Sequence, residues 1–181
     1  AAVVVATARV ARPRNPHDLR MTWVAVGLGA NLGDAARSVR DAIEALGCLP
    51  DTRLVRASRL FRTPAWGVTA QPDFINAVAV LDTGLSARAL LDALLDLERA
   101  CGRVRIDGER WGPRTLDLDV LLHGDAIIDE PGLRVPHPHL HERAFALLPL
   151  LDAWPDALIP GIGPARECAA AMAVDGIEPL P

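Results

Sequence analysis

The run Leu116-Asp-Leu-Asp-Val-Leu-Leu122 constrains this chain more tightly than any other stretch of it. In an extended strand successive side chains point to opposite faces, so Asp117 and Asp119 share one face while Leu118, Val120 and Leu122 share the other. Two carboxylates side by side on an otherwise apolar strand repel each other and lose hydration wherever the strand is covered. Two readings follow: the acidic face is an exposed sheet edge, or a divalent cation sits between the carboxylates. A ligand set made only of oxygens favours magnesium. Just upstream lie Arg103, Arg105, Arg110 and Arg114, interleaved with Gly102, Gly108, Gly112 and Pro113. That composition predicts a mobile loop. Guanidiniums on such a loop, beside a paired-carboxylate metal site, suit polyphosphate transfer. The metal bridges phosphate oxygens, bidentate arginines take up charge, and closure expels water. The competing reading is a solvated charged run with Asp107 and Glu109 as partners.

Composition closes other routes. All 19 Lys and Arg residues are arginine, so there is neither a P-loop lysine nor a Schiff-base nucleophile. A formal net charge of -4 argues against a general nucleic-acid binder. No apolar run approaches the ~20 residues of a membrane span. The basic residues near the start follow its short apolar run, the reverse of a signal peptide. Cys48, Cys101 and Cys168 lie far apart without CxxC spacing and read as single buried or half-buried thiols in a reducing compartment, with the cytoplasm as default. Gly27-Leu-Gly-Ala-Asn-Leu-Gly33 loosely imitates a dinucleotide fingerprint. However, position 32 is leucine, and the acidic residue at the right distance, Asp51, precedes its strand.

A chain of 181 residues can fill one core but not two comfortable domains. Residues 1–20 show no helical stripe and read as a flexible extension or linker; residues 21–181 read as a single domain. A strand at 23–28 leads into a helix capped by Asp34, facing inward with Val39, Ile43 and Leu46 and stopped by Gly47. A strand is predicted over 53–61, a loop from Pro64 to Pro72, and a strand over 74–81. Ser86 caps a helix to Cys101, carried by Leu90, Leu94, Leu97 and Cys101. After the acidic strand come a turn at 123–125, a helix across 142–151 and a short one near 165–173, with Pro164 in its first turn. The order β-α-β-β-α-β defines an α+β fold. It is the ferredoxin-like split βαβ arrangement, a mixed, mostly antiparallel sheet with helices packed against it.

Two further groups carry chemistry. His137, His139 and His141 alternate around Pro138. Zinc needs more than proximity, so the preferred reading is one histidine donating to a phosphate or adenine, with the other two on the surface. With three Phe and no Tyr, aromatic placement is informative. Trp66, Trp111, Phe74 and Phe145 either pack in the core or hold a flat heterocycle between rings.

Arg110-Trp-Gly-Pro-Arg-Thr-Leu-Asp-Leu-Asp119 resembles the signature of the 6-hydroxymethyl-7,8-dihydropterin pyrophosphokinase family of folate biosynthesis. Gly29-Ala-Asn-Leu32, Arg62-Thr-Pro64, Gln71-Pro-Asp-Phe-Ile-Asn-Ala77, Gly102-Arg-Val-Arg105, Val135-Pro-His137 and Arg143-Ala-Phe145 match it in the family's order. The resemblance implies an α/β/α sandwich with loops over the site. It also implies attack of the pterin hydroxymethyl oxygen on the β-phosphorus of ATP, with AMP leaving. Asp117 and Asp119 would ligate two magnesium ions. Glu98, Arg103, Arg105, Arg110, Trp111, Arg114, Val120, His137 and Arg143 would engage ATP, with Arg103 and Arg114 taking up transition-state charge. Asn76 would bond the pterin edge, Phe74 and Phe145 would sandwich its ring, and Thr63, Pro64 and Trp66 would complete the pocket. The implied partners are these two small molecules, with no nucleic acid or membrane, in a monomer whose first twenty residues link it to a neighbouring folate-pathway enzyme or form a tail. Four positions depart from the family pattern: Pro138 for an aromatic residue, Leu95 for a polar one, Phe74 for a frequent tyrosine, and one extra residue between Arg105 and Arg110.

Overall fold

A computed structural model of the chain describes residues 21–64, 71–101 and 115–181. The expected extension at 1–20 lies outside the described residues. The first half of the fold runs β1 (Thr22–Ala30), α1 (Ala35–Leu46), β2 (Thr52–Ala57), β3 (Phe61–Thr63), β4 (Phe74–Thr83), α2 (Ala87–Ala100) and β5 (Asp117–His123). Then follow the hairpin β6 (Ile128–Glu130) and β7 (Leu133–Val135), a 3-10 turn at Leu140–Glu142 and α3 (Ala144–Ala153). The chain ends with β8 (Leu158–Ile159), β9 (Gly163–Pro164), α4 (Ala165–Ala170) and β10 (Glu178–Pro179).

The main sheet has the order β10-β3-β4-β1-β5, with β2 also pairing β4, and each of these pairings is antiparallel. This is the split βαβ arrangement: two β-α-β units, β1-α1-β2 and β4-α2-β5, interleaved so that β1 and β4 lie at the centre. Side-chain alternation then divides the interior. Val24, Val26, Leu28 and Ala30 of β1 face α1 and α2, together with Leu118 and Val120. Ala25, Val78 and Val80 face Leu147, Leu150 and Ala153 of α3. The result is an α/β/α sandwich. Among the described residues no helix is long and apolar enough to cross a membrane.

Both predicted caps are present: the Asp34 side chain accepts from the Arg37 amide at 3.0 Å, and Ser86 from the Ala89 amide at 3.2 Å. The helices turn slightly from the expected faces. α1 buries Val39, Ala42 and Leu46, with Ile43 at the margin. α2 buries Ala87, Leu90, Leu94 and Glu98, which rotates Cys101 into solvent. Cys48 is likewise exposed and Cys168 half-buried, so burial does not explain the first two thiols, although all three are free. The strand predicted over 53–61 breaks at Ser58, whose hydroxyl accepts from the Val78 amide at 2.9 Å. Pro164 caps α4 from outside its first turn.

A β-bulge corrects the predicted faces of the acidic strand. Ala25 pairs with Leu122 but Val26 with Val120, leaving Leu121 as the extra residue. Leu122 therefore turns to the α3 side with Leu121, instead of joining Leu118 and Val120. Bulges of this kind re-aim side chains and end regular pairing.

Candidate active site

The α3 side of the sheet is open at one end, where β1 carries glycines. Gly27 and Gly29 present no side chains, so the centre of the sheet is bare backbone there. Register puts Asn76, Gly29 and Asp117 in one row across β4, β1 and β5, with Val78, Gly27 and Asp119 in the next. A Cβ on Gly29 would stand 3.1 Å from Asn76 Oδ1, and one on Gly27 about 3.2 Å from Leu121 Cδ1. Both contacts are tighter than nearly all real Cβ contacts, so a side chain here makes Asn76 or Leu121 shift, and glycine leaves the floor clear. The cleft above it is walled by Thr63, Pro64, Phe74 and Asn76 on one side and by Asp117, Asp119 and His137 on the other. Leu140, Arg143, Phe145 and Ala146 close it from the α3 layer.

The two walls differ in chemistry. On the β4 side, Asn76 donates through Nδ2 to Thr63 Oγ1 at 2.7 Å, with both side chains buried. Phe74 sits one register step away on the same face and supplies a ring. The chain leading into β4 is tied to the end of β1, because Asn31 Nδ2 donates to Gln71 Oε1 at 3.2 Å and to the Pro72 carbonyl at 3.3 Å. On the β5 side the wall carries the carboxylates of Asp117 and Asp119. Between Asp117 and Asp119 the strand is held from behind: the Leu118 amide donates to Glu98 Oε1 at 2.8 Å, and Glu98 is 1% exposed.

His137 enters from the loop after β7, which follows a cis Val135–Pro136 peptide, and its amide donates to the Leu121 carbonyl at 2.9 Å. Burial, then Arg143 and His139, push its pKa down to about 4, while Asp117 pulls the other way. It therefore meets a ligand as neutral imidazole near pH 7. His139 bonds Glu142 instead, at 3.0 Å, and His141 lies 3.5 Å from the same carboxylate. Only one of the three histidines lines the cleft. Among the described residues no group of three or more His, Cys, Asp or Glu side chains is placed to hold a metal. The Arg143 guanidinium lies 5.7 Å from the Phe145 ring centroid, which joins a cation to an aromatic face at the roof.

Of the residues expected from sequence, Thr63, Pro64, Phe74, Asn76, Asp117, Asp119, His137, Arg143 and Phe145 converge on this cleft. Two do not line it: Glu98 lies beneath β5, and Val120 turns its side chain into the α1/α2 core. Trp66, Arg103, Arg105, Arg110, Trp111 and Arg114 lie outside the described residues. Gly27, Gly29 and Leu121 line the cleft without having been singled out as site residues. The signal for the glycines was present in the Gly27-Leu-Gly29 spacing, where alternate glycines leave one strand face without side chains.

The split βαβ sandwich sets an aromatic and amide wall opposite a carboxylate pair, with stacking and hydrogen-bonding groups on one side and oxygen donors on the other. The comparisons supply the family. The family profile of 7,8-dihydro-6-hydroxymethylpterin-pyrophosphokinase (HPPK) matches residues 25–155. A 2-amino-4-hydroxy-6-hydroxymethyldihydropteridine pyrophosphokinase of Pseudomonas aeruginosa is 48% identical over 158 residues, covering 87% of this chain and 96% of the relative. The protein of the same description from Methylorubrum extorquens is 43% identical over 158 residues, covering 87% and 98%. The chain belongs to the HPPK family. A solved Plasmodium falciparum HPPK-DHPS structure, with pterin and p-hydroxybenzoate, shares the fold at a TM-score of 0.62 and 12% identity. That match covers 83% of this chain and 43% of the other, so this chain spans less than half the length of the HPPK-DHPS chain.

Proposed function

We infer that the chain transfers the diphosphoryl group of ATP to the hydroxymethyl oxygen of 6-hydroxymethyl-7,8-dihydropterin, giving the pterin diphosphate ester and AMP. The row Asn76–Gly29–Asp117 carries this reading. It sets the Asn76 amide on β4 and the Asp117 carboxylate on β5, the two strands that flank β1, with clear backbone between them. A pterin bonded through Asn76 and lying between Phe74 and Phe145 would direct its hydroxymethyl group across Gly29 toward the acidic wall. The oxygen attacks the β-phosphorus, the bridge between the α and β phosphorus atoms breaks, and AMP departs. Alignment of the two substrates is the main contribution of such a site.

Asp117 and Asp119 are the groups that would hold magnesium. Their donor set is oxygen only, and both acids face the cleft from alternate positions of one strand, which suits a hard cation. When bound, magnesium held by Asp117 and Asp119 would offset the negative charge of the phosphate chain. His137, as neutral imidazole, offers a hydrogen bond to the nucleotide without adding charge. Arg143 supplies a cation at the roof, and we assign Arg103 and Arg114 to the charge that builds on the transferring group. The three free cysteines support a reducing, cytoplasmic setting. Residues 1–20 are assigned to a linker or tail.

The test is to supply ATP, magnesium and 6-hydroxymethyl-7,8-dihydropterin and identify the nucleotide product. AMP formed only with pterin and metal together supports β-phosphorus attack. ADP would replace the proposal with simple γ-phosphoryl transfer.

A further inference from the structure

The pterin wall combines Phe74 and Asn76 of β4 with Thr63 and Pro64 at the end of β3, a strand of three residues that would otherwise form the exposed edge of the sheet. Short edge strands with few partners are the least constrained parts of a sheet. Here the outer side of β3 is covered by the end of the chain. Glu178 pairs with Arg62 and Pro179 with Phe61, and the Arg62 guanidinium lies 3.0 Å from the Glu178 carboxylate. The Leu180 amide donates to the Leu60 carbonyl at 2.7 Å, and the Leu180 side chain packs against the core beneath α1. At the other end of β3, Gly176 backs Pro64. A Cβ built on Gly176 would lie 2.9 Å from Pro64 Cγ and 3.3 Å from Pro64 Cδ, and the residue has φ +76°, where a side chain is strained in any case.

We propose that residues 176–180 are a positioning clamp for the pterin side of the cleft, with Gly176 setting the place of Pro64. Pro64 and Thr63 both line the cleft, and Thr63 holds Asn76. The tail therefore reaches the substrate through one layer of side chains without touching it. It lies beyond residues 25–155, the stretch matched by the family profile. The clamp has little leverage on the Asp117/Asp119 wall, which stands on the far side of β1. Its effect falls on the pterin and not on ATP. This inference rests on the assignment of the Thr63–Asn76 wall to the pterin.

The experiment compares Gly176→Val with Gly161→Val in the full chain. Gly161 also has a positive φ, +77°, but its built Cβ meets only Ile127, at 3.7 Å, so it is a control for backbone strain away from the wall. Gly176→Val is expected to raise the KM for the pterin roughly fivefold or more, with kcat and the KM for ATP changed less than about twofold. Gly161→Val should lower thermal stability and leave the pterin KM in place. Glu178→Arg should move the pterin KM in the same direction as Gly176→Val, and adding Arg62→Glu should restore it. An unchanged pterin KM in Gly176→Val, or an equal rise in Gly161→Val, overturns the clamp. A parent chain that neither binds nor turns over the pterin removes the assignment of the wall, and the clamp with it.

Discussion

Replacing Glu98 with alanine removes from α2 a side chain that is 1% exposed and accepts from the Leu118 amide at 2.8 Å. The amide is left buried inside β5 without that acceptor. A hydrogen bond to a carboxylate contributes about 1.5–3 kcal/mol, and the vacated space adds a cavity penalty, for a total of about 3–5 kcal/mol. In a domain of this size each kcal/mol moves the melting temperature by about 2–4 °C, so Glu98→Ala should melt about 6–20 °C below the parent. Glu98→Gln keeps an oxygen where the amide points and should melt well above Glu98→Ala. Thermal unfolding of the ligand-free protein, followed by circular dichroism, measures both. The Leu118 amide lies between Asp117 and Asp119, so turnover should fall in the same order, alanine far below glutamine. An alanine variant melting within about 2 °C of the parent, or a glutamine variant damaged as badly as alanine, would show that this contact does not hold the strand.

Gly29→Ala puts a methyl group 3.1 Å from Asn76 Oδ1, and Asn76 cannot retreat without disturbing its bond to Thr63. The pterin KM should rise about tenfold, the equivalent of roughly 1.4 kcal/mol, while nucleotide binding measured by calorimetry changes little. Asp119→Ala should abolish magnesium-dependent turnover while leaving the circular dichroism spectrum unchanged; near-full activity would remove the carboxylate pair from the mechanism. His137 gives a pH signature in the ligand-free protein. Its folded pKa of about 4 lies below the ordinary 6.5, so between these values the unfolded chain takes up a proton that the folded chain refuses. Stability from this group is complete above about 6.5, declines as pH falls toward 4, and changes no further below that. Urea midpoints across this range should slope less in His137→Gln than in the parent, and parallel slopes would refute the assignment.

Much of the fold was legible because its signals are local. Asp34 and Ser86 cap helices through the next turn of their own chain, and the Asp117/Asp119 pair follows from strand periodicity alone. What escaped depends on distant partners. The α2 stripe was misjudged at Glu98, because an acid counts as outward until its partner, an amide twenty residues away, is known. The Leu121 bulge had no local mark: Val-Leu-Leu is apolar on either face, and only the register against β1 decides which way Leu122 turns. The break at Ser58 arises from its bond to Val78, again across the sheet. Nine of the side chains that line the cleft were named from sequence, and the cleared space between them was not. Glycines at 27 and 29 first suggest a nucleotide turn, yet their strand position makes them a floor.

That floor has an evolutionary consequence. A ligand resting on Gly27 and Gly29 touches main chain, which mutation cannot re-letter; it can only add bulk, and bulk there meets Asn76 or Leu121. A substitution there that displaces an inhibitor also displaces Asn76 or Leu121 from the cleft.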